Sequence, residues 1–150
     1  MQGLWKLWMT LWCWVVLAFG VVLALLPVPA LSGPGRLVFG LLNSDPARLA
    51  LPDQQPMQFG LGLQGALTIG WAMTTFGMIR AAEAAGSVQG APVWRSLTLS
   101  FLVWYVVDSV ISVSTGFALN AVSNTLFIAA FLIPVLASGV LRARDAETVA

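Results

Sequence analysis

The chain has 150 residues, a one-domain length, of which 59% are hydrophobic and only 9% charged, against about 25% charged in soluble domains. A soluble fold of this size keeps much of its surface wet, so a mean hydropathy of +0.88 calls for lipid as the solvent. A net charge of +1, no histidine and the single Cys13 exclude a basic nucleic-acid stripe, the commonest zinc and haem ligand and an intramolecular disulfide.

Residues 7–26 form a charge-free run of twenty residues, about the 20 needed to cross a hydrocarbon core. Lys6 before it and Pro27 to Ala30 after it have the layout of a signal peptide. The run is longer than a usual h-region, however, and Trp5, Trp8, Trp12 and Trp14 suit interfacial anchoring, so a retained span is expected. Trp5, Trp8 and Trp12 share one face and read as a belt at the cytoplasmic interface.

The first loop contains a short helix at about 33–43. Ser32 is its expected N-cap, Pro34 stands in its first turn, and Asn43, Ser44, Asp45 and Pro46 stop it. At this length it lies in the outer interface and does not cross. An irregular, proline-bounded segment at 51–56 leads to the second run, residues 57–79.

That run carries two stripes. Gly62, Ala66, Gly70 and Thr74 recur every four residues, a ridge that lets another helix approach, either in the bundle or in an oligomer. Gln64, Thr68, Trp71 and Thr75 form the second. Arg80 and Glu83, three apart at its end, read as a solvated ion pair.

Residues 97–115 form the third run, interrupted only by Asp108. An ionised carboxylate at that depth costs several kcal/mol, so Asp108 should face protein or a water-filled cavity. Ser112 and Thr115 follow on its face and Tyr105 precedes it. A tight turn near residues 116–120 leads to the fourth run, 121–141. Asn120 is its expected N-cap, and Pro134 frees the carbonyl near Ala130. Rise per residue places Gln64, Thr68, Asp108, Ser112 and Asn124 in the outer half of the bilayer as one polar cluster.

The fold class expected is therefore an all-α membrane protein, one domain of four transmembrane helices plus the interfacial helix. Lys6, Arg80, Arg95, Arg142 and Arg144 flank one side, and Arg36 and Arg48 the other. Five against two puts both termini in the cytoplasm, in a bacterial inner membrane. The cluster offers a proton- or ligand-binding site or a structural hydrogen-bond donor, but a lone acid with hydroxyls and no activating base is a poor catalytic set. The expected function is a non-catalytic accessory or assembly subunit of a larger membrane complex. The alternative is a small transporter or ligand-binding protein using Asp108. No metal or cofactor is expected, though lipid, quinone or carotenoid needs only apolar walls. Membrane lipids and a membrane-protein partner, or a second copy of the chain, are the expected partners.

Overall fold

The structure is a computed structural model that describes residues 1, 3–43 and 54–142. Residues 44–46 of the stop signal, Arg48, residues 51–53 and Arg144 lie outside these. The described residues form five α-helices: α1 (Gly3–Ala24), α2 (Gly33–Leu42), α3 (Gln55–Ala84), α4 (Gly86–Ser114) and α5 (Ala118–Ser138), with a 3-10 turn at Pro29–Leu31. Three of them, α1, α4 and α5, are long and apolar enough to cross a membrane.

The four long helices form a ring. α3 packs on α1 and α4, and α5 closes it by packing on α4 and α1. Rings fill the centre. Trp12, Phe101 and Phe131 are buried, with centroids 5.1 Å apart for Trp12 and Phe101 and 4.4 Å for Phe101 and Phe131. Trp71 and Phe127 join them at 4.7 and 4.6 Å. Trp12 is therefore a core residue and not a member of an interfacial belt; its ring finds more contact among aromatics than a headgroup layer offers.

Helix α1 meets α3 through glycine. A Cβ on Gly65 would collide with the backbone nitrogen of Ala24 and stand 2.6 Å from the carbonyl oxygen of Gly20, and one on Gly20 would stand 2.9 Å from the nitrogen of Ile69. The close approach thus uses Gly65, with Ala72, Thr75, Ile79 and Ala82 as the buried continuation of the same face. Of the Gly62, Ala66, Gly70, Thr74 ridge, only Gly62 touches a neighbour, its Cβ position lying 2.7 Å from Pro27. Ala66, Gly70 and Thr74 point outward.

Helices α3 and α4 are joined with almost no loop. α3 runs five residues beyond residue 79, because Arg80 to Ala85 are mostly good helix formers, and α4 starts eleven residues before residue 97. Gly86, at φ +78°, makes the reversal, a backbone state that favours glycine. Glu83 turns away from Arg80 and pairs with Lys6 at 3.2 Å, while Arg80 lies over the Phe76 ring at 5.8 Å.

Helix α2 has the expected extent and Ser32 holds its N-cap position, but its side chain makes no capping bond. Its backbone is already helical and its hydroxyl donates to the Pro29 carbonyl at 3.0 Å, accepting from Nε of Arg36 at 3.2 Å. α2 rests against the hairpin tip, with Phe39 on Phe117 at 5.9 Å.

Candidate functional site

The α4–α5 hairpin turns at Thr115, Gly116 and Phe117, with Gly116 at φ +83°. Its register follows from two pairs. Ser112 meets Asn120, four positions either side of Gly116, and Phe101 meets Phe131, fifteen positions either side. Asp108 and Asn124, eight positions either side, therefore stand at one level of the hairpin. Asp108 is six residues from the end of α4, about 9 Å along the axis.

Three polar side chains close on one another here. The Ser112 hydroxyl donates to Oδ1 of Asp108 at 3.0 Å. The Asn120 amide donates to the same oxygen at 3.1 Å and to the Ser112 hydroxyl oxygen at 2.8 Å. Ser112 and Asp108 lie one turn apart on α4, so the helix presents both together. Asn120 is the third residue of α5 and crosses to α4; the N-cap of α5 is Phe117, without a side-chain cap. A buried or half-buried carboxyl is tolerable when donors surround it, and this ring supplies two to one oxygen.

Tyr105 takes a separate role. Its hydroxyl lies 3.0 Å from that of Thr125. Thr125 spends its own proton on the Ala121 carbonyl at 2.9 Å, so Tyr105 is the donor. This bond crosses from α4 to α5 nearer the core and is a second hairpin staple.

Other members of the expected cluster are placed differently. Gln64 is exposed on α3, and Thr68 donates to the Gln64 main-chain carbonyl at 2.8 Å, a bond inside one helix. Both belong to α3, which reaches α4 through Trp71 on Trp104 at 5.5 Å. Asn124 is buried, 6% exposed, and its amide nitrogen has no hydrogen-bond partner among the described residues; the same holds for the buried hydroxyl of Ser109. Asn120 is the member that depth alone misplaced. Counting outward from Gly116 in both directions finds it.

The ring offers an acceptor-rich carboxyl held by two donors, with no imidazole, thiolate or lysine to activate a nucleophile. No group of three metal-ligating side chains occurs among the described residues. No protein-family model, curated protein or solved structure matches the chain.

Proposed function

We propose that this chain is a non-catalytic integral membrane protein that serves as an accessory or assembly subunit of a larger membrane complex. In this reading it spans a bacterial inner membrane four times, with both termini cytoplasmic. The fourth span is α3, whose 30 residues reach about 45 Å and pack lengthwise between α1 and α4. The basic flanks, five against two, support the orientation.

The observation that carries the reading is the outward face of α3. Ala66, Gly70, Thr74 and Gly77 are exposed there in one row, flanked by exposed Leu63, Leu67 and Met73, and Gly70 and Gly77 have open space where a Cβ would stand. The outward faces of α1 and α4 present Leu11, Val15, Val103, Val106 and Val110, which suit lipid. A row of small residues between larger apolar ones is a groove into which another helix can pack closely. The measurement is particle mass after gentle detergent extraction from the host. Wild type should run well above a lone chain of 16.0 kDa in its micelle, and Gly70→Leu should shift it to the lone size without lowering its unfolding temperature. A wild type that runs as a lone chain sinks the reading, and two differently tagged copies separate a homo-oligomer from a hetero-complex.

The second reading, a small transporter or ligand-binding protein with its site around Asp108, is favoured by one observation. The unpartnered amide of Asn124 is buried at the level of Asp108, and such a donor is costly to leave unmatched.

A further inference from the structure

At the end of the bundle that carries the N-terminus, a cleft of about 440 Å³ opens between the first turns of α1 and the last turns of α3. Lys6, Arg80 and Glu83 border it, and Met9, Phe76 and Ile79 line it with apolar surface. Glu83 is answered on one side only. Its Oε2 accepts from Lys6 at 3.2 Å, while its Oε1 is buried with no partner among the described residues. A carboxylate oxygen withdrawn from water without a donor is unfavourable. Arg80 is exposed on the same rim, over Phe76, so the charged lining residues described are two cations and one carboxylate, one unit positive.

α1 is long and apolar enough to cross a membrane, and Lys6 lies in its first turns, so the cleft sits where headgroups begin. Trp5 and Trp8, 6.4 Å apart, stand at the same end, as aromatic side chains do at that level. The site asks for an anion to meet Lys6 and Arg80 and, within a few atoms of it, a hydrogen-bond donor to meet Glu83. We propose that the cleft seats a phospholipid headgroup of this chemistry, phosphoethanolamine or phosphoglycerol. The phosphate meets Lys6 and Arg80, the ammonium or hydroxyl meets Oε1 of Glu83, and the first acyl carbons lie on the half-buried Phe76. Phosphocholine has the same phosphate, but its quaternary nitrogen has no hydrogen to donate. This inference needs α1 in the bilayer and is independent of the accessory reading.

The test is native mass spectrometry of the full chain in detergent, titrated with dimyristoyl phosphatidylethanolamine, phosphatidylglycerol and phosphatidylcholine. The first two should be retained about tenfold more tightly than the third, the worth of a hydrogen bond to a charged group. Arg80→Gln should weaken both by about fivefold, the usual effect of one basic residue near a lipid surface, with the unfolding temperature unchanged. Glu83→Leu should erase the preference over phosphatidylcholine. Glu83→Gln, which keeps an acceptor but loses the charge, should retain that preference and shift it toward phosphatidylglycerol. Equal retention of all three headgroups overturns the proposal, as does indifference to Arg80→Gln. Displacement of bound lipid by inorganic phosphate would identify a soluble anion as the ligand and overturn it too.

Discussion

The indole N–H of Trp8 donates to the carbonyl oxygen of Ala130 at 2.8 Å, joining α1 to α5. That carbonyl is the one Pro134 leaves without a helical partner, since proline at i+4 has no N–H. One turn deeper, the indole of Trp12 donates to the Phe127 carbonyl at 3.3 Å. In lipid an unmatched carbonyl cannot turn to water, so Trp8 completes the ladder of α5 from outside it. Trp8→Phe keeps the ring and removes the donor, and should lower stability in detergent by about 1 kcal/mol. In a Pro134→Ala background, where residue 134 supplies its own N–H, the same change should cost distinctly less. Equal losses in both backgrounds would show that the bond does not serve the proline.

Asp108 is tested by three substitutions. Asp108→Asn keeps Oδ1 as an acceptor for Ser112 and Asn120 and should unfold within about 1 kcal/mol of wild type. Asp108→Leu removes the acceptor of Ser112 and one of the two that Asn120 uses, and should cost about 1–3 kcal/mol. Asn120→Ala should lose less in an Asp108→Leu background than alone, because the two share their bond. If instead the transporter reading holds, Asp108→Asn should abolish proton-linked uptake into vesicles while leaving the fold intact.

Two glycines of α3 should answer oppositely to alanine. Gly65→Ala forces α1 and α3 apart at Ala24 and Gly20, and should destabilise by about 1–3 kcal/mol. Gly70→Ala meets open space and should be neutral or stabilising by up to about 1 kcal/mol, the helix preference of alanine over glycine. Chemical unfolding of the two variants side by side decides it, and a large loss at Gly70 would place a neighbour on that face.

Topology is read by cysteine labelling in a Cys13→Ala background. A membrane-impermeant thiol reagent on intact cells should modify Gln54→Cys and miss Ser87→Cys. The reverse pattern would invert the orientation proposed from the basic flanks.

Hydropathy located α1, α4 and α5 because their apolar runs fill the hydrocarbon width. α3 was visible as a run, but its full length was not. Gln55, Gln58, Arg80 and Glu83 lie in its end turns and end the apolar run there, while the helix itself is about 45 Å long. Its packing face was hidden for a different reason. Small residues occur on two sides of α3, and only the position of α1 tells Gly65 from Gly70. The polar cluster was legible as far as Asp108 and Ser112, which one helix face fixes. Its third member depends on the hairpin register, and Gln64 stays exposed on α3, two turns from Trp71, where the rings of α3 meet α4. The lysine partner of Glu83 lies 77 positions away in sequence, beyond any local pattern.

The three-residue turn between α4 and α5 bears on how the chain is made. In the four-span reading it leaves no hydrated loop to translocate on its own, and the two helices would enter the bilayer as one inserting unit. Asn120 follows Asp108 by only twelve residues, so the entropy of bringing them together is small. The carboxyl therefore meets its amide as the hairpin closes, before α1 or α3 has to be in place. In that reading biosynthesis would not require a solitary acid in the membrane, because Asn120 would already answer it.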